Sequence, residues 1–308
     1  MSDLIQYNKL NNSYKKTLVF HLGVEAGFFS EYNNMILAML YCLKHKIKFV
    51  LFSKDSNFRF KNGWTDFFLP FCDEQKNNFL LSKYNQRRSR LKARHKIVIK
   101  LYKIFNKIDY FTYDLWNSIR NRNIETEKYS IPELNINGNI LEACRVLINL
   151  TWNYNESTSR KIQEIKESLG LPFSYIGFHI RMGDKNIESN LRPINEYINK
   201  SQIFSPLKVA FVLTDDYRVI DFLEENYRDW TFYTLCDRNE NGYFHNNFQK
   251  ESLEKRKLSH FRLFASIDIL SKSELFVGTF SSNPGMFLGM KMDTSRCLGV
   301  DLEKWQIW

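Results

Sequence analysis

The stretch that decides the fold is "YIGFHIRMGDKNIESN", residues 175–190. It opens as an unbroken apolar run, the mark of a strand buried on both faces. It then turns into charge: His179, Arg181, Asp184, Lys185 and Glu188 follow within a few residues. A buried strand whose carboxyl end is crowded with ionisable groups is what an open parallel sheet presents to a ligand.

Working outward, the alternation continues. "KVAFVLTDD" (208–216), "WTFYTL" (230–235), "ELFVGTF" (274–280) and "RCLGV" (296–300) read as further strands. Between them, "RPINEYINKS" (192–201), "YRVIDFLEENY" (217–227), "SHFRLFASIDILSKS" (259–273) and "SSNPGMFLGMK" (281–291) have helical spacing, and "NENGYFHNNFQKESLEK" (239–255) reads as a polar loop. Upstream, "TLVFHL" (17–22) and "IKFVLFS" (47–53) flank a helical pattern in which Ser30 is the expected N-cap and Glu31 lies in the first turn. Residues 75 to 165 read as mostly helical. Continuous apolar strands alternating with helices imply an α/β fold with parallel sheets. A chain of 308 residues should form two cores. The expected division is 1–168, an α/β domain with a helical, basic insertion, and 169–308, a Rossmann-like domain.

Composition excludes several classes. No apolar run is long enough to span a bilayer, and the N-terminus has no secretory apolar region. The five cysteines show no metal or disulfide spacing, so reduced thiols and a cytoplasmic location are expected. No P-loop, GxGxxG or GxSxG motif occurs. Net charge is +10, and residues 85–107 hold nine Lys or Arg and no acid. That segment reads either as a packed helix with a solvated basic face or as a helix lying on an anionic membrane. Nucleic-acid binding is not expected, since no stacking platform or groove helix accompanies the charge.

Three strand ends carry polar clusters: Arg181 and Asp184, Asp215 and Asp216, and Ser281, Ser282 and Asn283 at a helix start. A helix N-terminus with hydroxyls suits phosphate, and arginine adds a charge-assisted grip. The implied ligand is a nucleotide or nucleotide sugar. Blander readings stand beside this. Arg181 and Asp184 could form a surface salt bridge, Asp215 and Asp216 could cap a helix, and His179 could be a core histidine. Gly27 sits in the first strand–helix loop, where it either approaches the ligand or serves the turn.

"GFHIRMGDK" resembles the HxRRxDK motif of the α1,6-fucosyltransferase family. "RPINEYI", "VLTDDYRVIDFLEENYRDWTFY", "LFASIDILSKSELFVGTFSSNPG" and "NGWTDFFLP" are similar to that family's segments in the same order, over about residues 17–290. The resemblance implies a GT-B-like fold, two Rossmann-like domains facing across a cleft. It implies inverting, metal-independent transfer of fucose from GDP-β-L-fucose to a glycan acceptor, lipid-linked if the basic segment meets a membrane. By position, it places Arg181 on the donor diphosphate, Glu188 as general base, and Lys185 and Asp184 on the motif's lysine and aspartate. His179 and Tyr197 fall on donor-site residues, Asp268 on the guanine reader, and Ser282, beside Ser281, on a phosphate-binding serine. Two departures stand out. Met182 replaces the family's second arginine, and the stretch between Lys185 and Glu188 is one residue shorter. An α1,2-type or other GDP-sugar transferase is the neighbouring reading. A non-catalytic glycan- or nucleic-acid-binding protein is the rival of another class.

The chemistry fits those residue types. Negative charge grows on a departing diphosphate, and a planar guanidinium meets two of its oxygens. A carboxylate across the sugar removes the acceptor proton.

Overall fold

The computed structural model describes residues 2–23, 26–76, 79–87, 91–182, 192–243 and 245–307. The chain forms two compact units, residues 1–155 with Ile307, and residues 156–306 with residue 308.

The first unit is built on a parallel sheet ordered β2-β1-β3, from β1 (Lys16–His21), β2 (Ile47–Phe52) and β3 (Tyr110–Phe111). Before it lies helix α1 (Ser2–Ser13), which the sequence reading did not anticipate. Its buried Asn11 bonds the outer side of β2: Phe49 N donates to Asn11 Oδ1 (2.7 Å) and Asn11 Nδ2 donates to Phe49 O (2.9 Å). The crossover from β1 to β2 is α2 (Phe28–Lys44), apolar nearly all round and buried accordingly. Its N-cap is Gly27, not Ser30. Phe28 stacks on Tyr32 and Phe68, with ring centroids 5.7 and 5.9 Å apart, and that aromatic packing draws the extra residues into the helix.

Residues 75–165 hold α3 (Phe79–Tyr84), α4 (Ala93–Phe105), α5 (Thr112–Ile119), α6 (Ile140–Thr151) and α7 (Glu156–Ser168). They also hold β3 and an antiparallel hairpin, β4 (Tyr129–Ile131) and β5 (Ile136–Gly138), turned by Asn135 at φ 53°. Asn139 and Glu142 then form a reciprocal cap that starts α6. Helix α7 belongs to the second unit.

The second unit carries a five-stranded parallel sheet: β6 (Ile176–Ile180), β7 (Val209–Thr214), β8 (Thr231–Thr234), β9 (Leu275–Gly278) and β10 (Cys297–Gly299). Its order is β10-β9-β6-β7-β8. The connecting helices are α8 (Ile194–Phe204), α9 (Arg218–Asn226), the short α10 (His245–Phe248), α11 (Leu253–Lys272) and α12 (Asn283–Lys291). Thus the loop read over 239–255 contains α10, and α11 begins inside it, capped by Ser252. All of β6 is buried. A side chain at Gly177 would meet Leu270 and Ser273, which shows how closely α11 lies on the strand. No described helix is long and apolar enough to cross a membrane. All five cysteines are free thiols.

Candidate active site

From β6 the chain winds one way to β7 and β8, then returns to the opposite side of β6 as β9 and β10. The reversal point lies between β6 and β9. In such sheets the crevice beyond the carboxyl ends at that point receives the ligand. His179, Arg181 and Met182 leave β6 there, and Thr279 to Ser282 leave β9 beside them.

Ser282 is the N-cap of α12: its Oγ donates to Thr279 O (2.7 Å) and accepts from Gly285 N (3.3 Å). His179, buried at the end of β6, brings Nδ1 to 3.4 Å from the same oxygen. Since the hydroxyl proton points to Thr279, Nδ1–H is the donor in that long contact. Gly285 is required here, because a Cβ would stand 2.0 Å from Thr279 O. The backbone donors expected to face a phosphate are occupied differently. Phe280 N and Ser281 N donate to the Asp301 carboxylate at 2.8 and 2.9 Å. The approach to the helix is therefore ordered from within by Asp301, which lies beyond the last strand and carries no signal of this role in the sequence.

Arg181 lies on the other side. Its Nε is 3.7 Å from Asp215 Oδ2, and its guanidinium carbon is 5.3 Å from the centre of the Tyr243 ring. Asp215 is itself fixed by Met182 N (2.8 Å) and Tyr243 N (3.0 Å). One carboxylate thus joins the end of β6, the end of β7 and the loop that supplies the ring. Asp216, the second acid of the pair, does cap the next helix. It accepts from Arg218 N (3.0 Å) and pairs with the Arg218 side chain, whose hydrogen bond holds its carboxyl below the usual range.

Tyr197 lies near the start of α8, buried in the core with Ile176, Phe178 and Val212, and burial raises its pKa. Met182 packs against this same core, so the side chain at the family's second arginine position is turned to apolar contact. Asp268 is not brought to this crevice. It precedes Ile269, whose carbonyl accepts from Tyr175 OH (2.8 Å) just before β6 begins, and its charge acts on Lys166 and Lys291. That is the amino end of the sheet. Asp184, Lys185 and Glu188 lie outside the described residues.

In the first unit, Gly27 caps α2, and a Cβ there would meet none of the described residues within 4 Å. At the carboxyl end of β1, buried His21 Nε2 meets Asp55 Oδ1 at 2.7 Å. Burial pushes the Asp55 carboxyl up, but the hydrogen bond and charge of His21 and a bond from Ser82 outweigh it and leave it low. Glu31, also buried, accepts from Gly23 N (3.1 Å) and pairs with Arg87 (3.5 Å). No group of three or more metal-ligating side chains occurs among the described residues.

Solved structures share this architecture. The NodZ α-1,6-fucosyltransferase structure soaked with GDP-fucose covers 90% of this chain and 93% of its own, with TM-score 0.54 and 12% identity. The fucosyltransferase NodZ from Bradyrhizobium covers 89% and 92%, with TM-score 0.52 and 13% identity. At such identity the likeness shows the fold, which is GT-B-like. No curated protein matches the chain. The family model for "Alpha-(1,6)-fucosyltransferase N- and catalytic domains" matches residues 6–285, nearly the whole chain. The chain therefore belongs to this family of glycosyltransferase enzymes.

Proposed function

We propose that the chain transfers L-fucose from GDP-β-L-fucose to a sugar hydroxyl of a glycan acceptor, with inversion and in α1,6 linkage. The observation that carries the reading is Arg181, held beyond the carboxyl end of β6, the strand at which the sheet reverses, by Asp215 and Tyr243. A cation fixed there can take the charge that grows on a departing diphosphate without reorganising during the reaction. Family membership supports the sugar-transfer class. NodZ structures with GDP-fucose and with GDP support the donor. Glu188 as base and Lys185 beside it rest on the sequence match, as do the donor roles of Asp184, His179 and Ser282. Asp268 is left out of the proposed site, because it lies at the amino end of the sheet.

The test is a GDP-sugar panel scored by thermal shift, followed by transfer assays with the winning donor and linkage analysis of the product. GDP-fucose should stabilise the protein most. Arg181→Ala should lower transfer at least about a hundredfold with the melting temperature retained. Chelators should leave the rate unchanged, because arginine supplies the charge that other transferases draw from a divalent ion. Full activity in Arg181→Ala would sink the reading. Stabilisation by another GDP-sugar, or a 1,2-linked product, would shift it to the neighbouring transferase types.

A further inference from the structure

Helix α4 carries most of the basic segment, and its apolar residues face the wrong way for an ordinary surface helix. Ile99 alone among them is buried, against Val19, Val50, Phe52 and Leu81. Ile97, Val98, Leu101, Ile104 and Phe105 are 48–82% exposed. At about 100° per residue, these five share one face roughly a third of the circumference wide, opposite Ile99. Arg94 lies within that face, Lys96 and Lys100 flank it on one side, and Lys92 and Lys107 are exposed at the two ends of the helix, while Lys103 is paired with Asp114. No acid occurs in residues 85–107. A packed helix with a solvated basic face would bury the apolar stripe, and this one presents it to solvent.

We propose that α4 docks the protein on an anionic lipid bilayer. The five apolar side chains enter the acyl boundary, and the lysines and arginine stretch to the lipid phosphates. Charge and shape together select this occupant. A second copy of the chain would set five exposed cations against five more. A nucleic acid would answer the charge but leave the apolar stripe in water. An anionic bilayer satisfies both, each basic residue near its surface strengthening binding roughly fivefold.

The experiment uses the full chain and sedimentation with phosphatidylcholine vesicles, alone or with roughly one-third phosphatidylserine. The chain should bind the anionic vesicles at low salt, and at least about tenfold less at 0.5 M salt or without phosphatidylserine. Leu101→Glu with Ile104→Glu should weaken binding at least about tenfold, with melting unchanged because both positions are exposed. Lys96→Glu with Lys100→Glu should do the same by the charge route. In Phe105→Trp, emission should shift to the blue on binding and be quenched by brominated lipid. Three outcomes overturn the proposal: no binding to anionic vesicles at low salt, a dimer that Ile104→Glu converts to monomer, or tighter binding to duplex nucleic acid than to vesicles. Fucose transfer to a soluble acceptor, measured in parallel, is independent of this surface, so either idea can fail alone.

Discussion

Asp215 shows how much of the proposed site rests on one carboxylate. It accepts from two backbone N–H groups on different segments and faces Arg181. Replacing it by asparagine removes the charge and keeps only one of the two accepting oxygens, turning an NH2 group toward the other backbone N–H. Asp215→Asn should therefore lower kcat for fucose transfer about tenfold to a hundredfold, less than Arg181→Ala, because the guanidinium remains but loses its aim. Tyr243→Leu removes only the ring beneath the cation and should cost less than about tenfold. Steady-state kinetics of the three variants checks that order, and equal losses would contradict it. Met182 bears on the same site from the other direction. Because its side chain packs on the core, Met182→Arg should not add a second diphosphate contact. It should lower stability by about 1–3 kcal/mol in denaturant titration, since a charge is turned toward apolar neighbours.

Among the elements, α11 makes a prediction through His260. The ring is buried between Phe248 and Phe264, its Nδ1 2.7 Å from Arg256 O, and burial lowers its pKa to about 4. The unfolded chain takes up this proton near pH 6.5, before the folded state does. Stability is thus fully present above about pH 6.5 and falls as pH drops toward 4, by at most about 3 kcal/mol. His260→Gln should flatten that part of the pH–melting profile; an unaltered slope would show that other groups set it. Elements of this kind were legible in the sequence wherever length gave periodicity a chance. The long apolar strands and the helices around Arg181 fall where their spacing placed them. The two- and three-residue strands β3, β4 and β5 carry too few residues for any pattern. The start of α2 moved to Gly27 because aromatic packing, absent from local propensity, outweighed a good capping residue at Ser30. Likewise, spacing marked α4 as amphipathic but could not say which face turned inward. The polar clusters that hold Arg181 and Ser282 were readable at the ends of two strands. Tyr243 and Asp301 were not, because their nearness depends on strand order and loop path.

At the scale of the whole molecule, each unit must bury its own parallel sheet, and the two do so unequally. The second sheet has five strands with β6 protected at its centre. The first has three, and β2 lies at its rim. The outward backbone groups of β2 are answered without another long strand: Phe49 by the amide of Asn11, Leu51 by Asp73 O and Gln75 N. Asn11→Ala should cost about 2–4 kcal/mol, since two buried backbone groups lose their partners together. The same amide has a second consequence. "IKFVLF" is a short, apolar, β-prone window with one charge, and a bare edge of that kind invites a strand from another chain. Removing residues 1–13 should therefore do more than lower the melting point. On refolding, the shortened chain should scatter light and bind amyloid dyes where the full chain should not, so Asn11, a single side chain posing as a strand, stands guard against self-templating.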